Sequence, residues 1–340
     1  MTAPDPDPEL GESQERRGGA GRWVRAGFLL VVLALAGYWI YRNRAEVGHA
    51  WSRVTLLPVL GAFFAGALGA WSGVPAWRSL LIGLGSRLRL RDAQRVFLMG
   101  QLGKYIPGGV WTVLAQATMA MELKVPRARS GTASLMSILL AVVTAAGLGA
   151  VCLAVAGHEV LGHYWWILLL AIPLLALLHP GVLVWFGRTV GRITRRKVPL
   201  ERISERTLIG AAGALLVGQL CNGFGFYLLV VSISGHASNP LLSIGVFSLA
   251  SAAGIVVIFA PAGVGAREVI LLFGLSTVTK DAGSAALIVL MSRVVLTAVD
   301  VLLAALAAGI GRRGRRLGQQ QHAGRPASAT VQHDSDTRER

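Results

Sequence analysis

Charge is scarce in this chain. Of its 340 residues only 15% are charged, while 54% are apolar. Soluble domains usually carry about 25% charge, so a soluble globular enzyme is excluded at once. Acidic side chains are scarcer still, 17 Asp and Glu against 33 Lys and Arg, for a net charge of +16. In a soluble protein that surplus would point to nucleic acid. In a membrane protein it marks cytoplasmic loops, so no nucleic-acid partner is expected. Cysteine is limited to Cys152 and Cys221, each inside an apolar stretch. Neither a disulfide framework nor a CxxC metal pattern exists, and both thiols read as packing residues. There is no GxxxxGK[ST] loop, which removes the motif of an ATP-driven pump. His158, His163 and His236 form no HExxH set, so neither metal nor cofactor is expected. The Gly147 to Gly149 pattern lies inside an apolar run rather than after a strand, and reads as a small-residue helix contact.

What the sequence has in abundance is long apolar runs, which make it an all-α polytopic membrane bundle. Uncharged windows at 26–41, 54–77, 130–157, 163–187, 207–233 and 283–310 predict six full spans. Ala34-Leu35-Ala36 offers a signal-peptidase-like site, but the apolar run continues to Tyr41 and five acids precede it, so an uncleaved first helix is expected. The membrane domain is placed at 23–311. Residues 1–22 and 312–340 are too polar to bury surface and read as disordered cytoplasmic tails. Arg312, Arg313, Arg315 and Arg316 lie just past the last span, where anionic lipid attracts them. Gly61, Ala65 and Gly69 recur every four residues, the signature of close helix packing, and Trp165 and Trp166 fit an interfacial belt.

Two apolar stretches, 96–121 and 240–275, are broken near their middles by Pro/Gly-rich tips that contain charge. Lys and Arg concentrate at 1–25, 78–95, 122–129, 188–206 and 311–340, which places those connections in the cytoplasm. The loops on both sides of 96–121 are therefore cytoplasmic. That stretch must enter and leave on one side, as a re-entrant hairpin. The same parity makes 240–275 a hairpin of opposite orientation. Arg42, Arg44 and Arg53 fall on the outer side and run against the rule. The expected topology is six spans plus two opposed hairpins, multi-pass, with both termini cytoplasmic. Paired broken segments point to a transport site near the midplane, because irregular backbone at that depth must line protein or a wet cavity.

The first tip reads Gly-Gln-Leu-Gly-Lys104-Tyr105-Ile-Pro107-Gly108-Gly109-Val-Trp. Pro107 interrupts the helix, Gly108 and Gly109 allow close approach, and the resuming helix aims free N–H groups at the tip. With Lys104 this could hold a lipid phosphate. The competing reading is a kinked helix with Lys104 snorkelling. The second tip, with Pro261, Gly263 and Gly265 followed by Arg267 and Glu268, repeats the device. Arg267 reads as an anion ligand and Glu268 as its orienter or a proton carrier, unless the pair serves a structural ion pair with another span. Arg293 and Asp300 lie two turns apart on one face of the last span, about 10 Å from one another. Intramembrane charges face the interior and pair, so Asp300 could neutralise Lys104, Arg267 or Arg293, or instead counter the basic tail.

With these two motifs the chain resembles the transmembrane region of bacterial lysylphosphatidylglycerol synthases and the stand-alone membrane proteins related to it. The likeness covers roughly residues 25–310. In two-part members of that family the membrane half is a flippase for aminoacylated phospholipid, and a cytosolic half makes the lipid. Only residues 311–340 follow the last span here, so no synthase half is expected and aminoacyl transfer is not carried over. Pro-Ala-Gly stands at the second tip where the family commonly has Pro-Gly-Gly. The resemblance implies translocation of a phospholipid or lipid-linked substrate, with anionic headgroups as partners and no enzymatic step. The alternative is an accessory subunit of a membrane glycosyltransferase or lipid synthase, and a second copy of the chain or such an enzyme would then be its partner. An enzyme using Glu268 or Asp300 as base lacks any converging cluster of His or carboxylates.

Overall fold

The computed structural model describes residues 48, 51–52, 54–106, 110–156, 203–235, 239–257, 263, 265–276, 279 and 282–323, with side chains described to residue 309. All regular structure among them is helical. The elements are α1 (Leu56–Gly83), α2 (Leu90–Gln101), a 3-10 turn (Leu102–Tyr105), α3 (Trp111–Glu122), α4 (Arg127–Ala156), α5 (Glu205–Ser234), α6 (Pro240–Val256), α7 (Ala266–Leu275) and α8 (Ala282–Ala323). The expected spans 26–41 and 163–187, the N-terminal tail and the end of the C-terminal tail lie outside the described residues.

Four helices are long and apolar enough to cross a membrane: α1, α4, α5 and the Ala282–Gly309 part of α8. They coincide with the expected spans 54–77, 130–157, 207–233 and 283–310. The boundaries differ where a charge has a partner. Helix α1 runs past Arg78 to Gly83 because the Arg78 Nε donates to the Leu88 carbonyl at 2.9 Å, which anchors the cation beside the helix end. Helix α8 continues to Ala323, past the boundary drawn at 311, so the first part of the expected tail is helical.

Small residues set the packing. Helices α1 and α5 run antiparallel along their whole length, from Thr55 beside Ser232 to Gly83 beside Thr207. Between those ends a Cβ on Gly69 would meet Asn222, one on Gly218 would strike Ser72, and one on Gly225 would lie 3.1 Å from the Ala62 carbonyl. The four-residue repeat in α1 is therefore a seam where two backbones approach. Helices α4 and α6 meet in the same way, Gly149 against Leu249 and Gly245 against Cys152 and Leu153. Cys152 is buried there and Cys221 is half-buried, both as free thiols.

The two broken stretches fold into helical hairpins. At about 1.5 Å per residue, the 12-residue helices α2 and α3 each rise only about 18 Å, well short of a hydrocarbon core of about 30 Å. They lie against each other: a Cβ on Gly103 would reach the Thr112 amide, and Arg95 meets Glu122 at 3.8 Å near the open end. In the second hairpin α6 and α7 are antiparallel, with Gly274 against Val246 and Gly254 against Gly263 and Arg267.

Two buried clusters fix where the hairpins sit. One gathers Leu81 of α1, Ala93 of α2, Ala120 of α3, Ala211 of α5 and Ala307 of α8. The other gathers Leu153 of α4, Ile233 of α5, Leu275 of α7 and Ile288 of α8. Helix α5 enters the first cluster near its start and the second near its end, and α8 does the reverse. The first hairpin is thus rooted at one end of the bundle and the second at the other.

Candidate functional site

Both tips reach the same face of α8. Arg293, Thr297 and Asp300 stand at i, i+4 and i+7, one stripe of a helix. At the first tip the Lys104 Nζ lies 2.7 Å from Asp300 Oδ2. The Tyr105 hydroxyl donates to the same oxygen at 2.6 Å, with Thr297 Oγ1 3.3 Å away. Of the sequence's candidate partners for Asp300, Lys104 is the one in contact. The Asp300 side chain is 8% exposed and that of Lys104 39%, so the carboxylate is sealed while the lysine side chain keeps an open side. Lys104 is set by the short 3-10 turn that ends α2 and tightens the approach to the tip.

At the second tip, Glu268 makes two ties. Its Oε1 accepts from the Arg293 Nε at 2.6 Å. Its Oε2 accepts from the Gly265 N–H at 2.7 Å. A carboxylate in the first turn caps its own helix, as the dipole favours. Glu268 and Arg267, though adjacent, have different neighbours. The Arg267 guanidinium stacks 4.8 Å from the centre of the Phe247 ring. Gly263 and Gly265 hold φ of +69° and +97°, conformations that favour glycine, and a Cβ on Gly263 would run into the Gly254 backbone. Pro107, Gly108, Gly109 and Pro261 lie outside the described residues.

The cluster therefore draws on three elements: Lys104 and Tyr105 from the first hairpin, Arg267 and Glu268 from the second, and Arg293 and Asp300 from α8. Arg293 lies 11 residues past Ala282, about 16 Å along the helix, and Asp300 two turns further. Both stand in the middle of a span-length helix. A group of charges this deep is expensive unless paired or wet. Among the described residues no three His, Cys, Asp or Glu side chains come together to hold a metal ion.

Two features escaped the sequence. Thr297 is one, although its place between Arg293 and Asp300 on the stripe could have flagged it. The other is a buried polar chain behind the first hairpin. The Trp77 indole donates to Ser134 at 3.0 Å, and the Ser134 hydroxyl donates to Gln116. Gln116 is 1% exposed. A lone amide in an apolar hairpin limb was the available signal.

Span-length apolar helices enclosing a charged cluster define an integral, multi-pass membrane protein. Residues 24–304 match the family described as Lysylphosphatidylglycerol synthase TM region, and the chain belongs to that family. No curated protein matches the chain.

Proposed function

We propose that the protein moves a phospholipid or other lipid-linked substrate across the bacterial cytoplasmic membrane in a flippase-like manner, without enzymatic chemistry. In this reading the two hairpins are re-entrant from opposite leaflets, and both termini lie in the cytoplasm. What supports it is the convergence of cations from two short hairpins on one mid-span stripe of α8. A phosphate headgroup passing between the tips would exchange water for Lys104, Arg267 and Arg293, while its acyl chains stay in the bilayer. The open side of Lys104 gives a headgroup access. Substrate sites between half-length helices near the midplane are the common plan of transporters that alternate access by rocking. Membrane lipid headgroups are the partners this implies.

The test is scrambling of a fluorescent phospholipid in vesicles reconstituted with purified protein. Lys104→Ala and Arg267→Ala should each abolish transport. Unchanged transport by both variants would remove these residues from the path.

A further inference from the structure

We propose that Arg267 is the anion ligand of a charged cluster that is one negative charge short of balance, so that the chain selects a lipid whose headgroup is a phosphodiester of net charge −1. This rests on the translocation reading and names its substrate class.

The pairing within the cluster carries the argument. Among the described residues it holds three cations, Lys104, Arg267 and Arg293, and two carboxylates, Glu268 and Asp300. Asp300 is committed to Lys104 and Tyr105. Glu268 is committed to Arg293 and to the Gly265 amide. One cation is left over. The Nε and Nη2 of Arg267 are buried and have no hydrogen-bond partner among the described residues. These two nitrogens form one edge of the guanidinium plane, with their N–H bonds parallel. That edge is the fork that grips two oxygens of a phosphate or carboxylate at once.

The fork is also held in place. Phe247 covers the guanidinium face, and the Arg267 Cβ packs where a Cβ on Gly254 would touch it at 3.4 Å. A guanidinium edge held in this way, its two nitrogens buried and lacking an anion, is costly. A ligand oxyanion removes the cost. One negative charge completes the balance. A headgroup that carries an additional amine brings a second cation into a cluster whose carboxylates are both engaged. A zwitterionic or aminoacylated headgroup is therefore disfavoured relative to a plain anionic one.

The experiment is a lipid titration of the full-length protein followed by native mass spectrometry. The probes are phosphatidylglycerol, phosphatidylethanolamine and lysylphosphatidylglycerol, with net headgroup charges of −1, 0 and +1. The wild type should retain phosphatidylglycerol about tenfold over the lysylated lipid, as charge-assisted bidentate pairing would give. Arg267→Gln should level the three, and Arg267→Lys, which keeps the charge without the fork, should fall between. Equal retention of all three by the wild type overturns the proposal. So does an unchanged preference in Arg267→Gln. Millimolar inorganic phosphate separates the two sources of the anion. Failure to displace phosphatidylglycerol supports a lipid site, whereas full displacement assigns the fork to free phosphate and overturns it. Charge preference without scrambling would defeat the translocation reading and leave the selective site standing. Scrambling without preference would defeat this inference alone.

Discussion

Lys104 and Tyr105 share one oxygen of Asp300: the ammonium at 2.7 Å and the phenol at 2.6 Å both meet Oδ2. That oxygen ties the tip of the first hairpin to α8, beside the apolar contacts that pack the hairpin against Ala307 further along the helix. Asp300→Asn removes the charge while nearly preserving shape, and it should lower the melting temperature of the detergent-solubilised protein. The pair is half open to solvent, so the coupling between Lys104→Met and Asp300→Asn should be about 1–2 kcal/mol in a double-mutant cycle, less than a sealed pair would give. Additive single effects would show that the pair contributes nothing.

Glu268 has two separable tasks. Glu268→Gln retains an acceptor for the Gly265 N–H and loses the ion pair to Arg293, whereas Glu268→Ala loses both. Thermal stability should fall in the order wild type, Gln, Ala. The Gln-to-Ala step should correspond to about 1 kcal/mol, the size of a helix N-terminal cap. Equal melting points for the two variants would mean the cap has no weight.

The α1–α5 seam predicts a contrast between glycines on one helix. Gly218→Ala drives a methyl into Ser72, while nothing lies within 4 Å of a Cβ at Gly213. Gly218→Ala should destabilise by about 1–3 kcal/mol through overpacking. Gly213→Ala should be neutral or gain a few tenths from helix propensity. Melting curves of the two variants side by side make the comparison, and a reversal of their order would deny the seam.

Ser134 links Trp77 of α1 to Gln116 of α3. Ser134→Ala leaves a buried indole N–H and a buried amide oxygen without this partner. The loss should be about 1–3 kcal/mol. Gln116→Leu added to Ser134→Ala should recover part of it, since removing both polar groups is cheaper than stranding one.

Lys124 closes α3 with a φ of +62°, and the Val125 N–H reaches back to the Ala120 carbonyl. A left-handed residue at this place favours glycine. Lys124→Gly should raise stability by about 0.5–1 kcal/mol. A lowered melting point would show that the lysine side chain matters more than its backbone.

The elements were legible wherever composition alone decides. Apolar length marked the four long helices, and clustered Pro and Gly marked where each of the two remaining apolar stretches divides into two shorter helices, because proline lacks the N–H that a continuing helix needs. The four-residue repeat of Gly61, Ala65 and Gly69 gave one side of a seam. Its partner, α5, was not legible, since Gly218 and Gly225 carry no mark of which helix they face. The site residues were visible as charges out of place, yet their pairing was not. Asp300 had three candidate cations, and only the depth of the first tip selects Lys104. Helix α8 outran its expected end because a basic, polar stretch can extend a helix already nucleated by the span before it.

That long helix has a mechanical consequence. Both hairpin tips are fastened to one stripe of α8, and the same rod runs on without a break to Ala323. Twisting or sliding it by a fraction of a turn would strain both fastenings together, so the two halves of the bundle are geared to each other through a common shaft. Anything that grips the emergent turns has a lever on both tips.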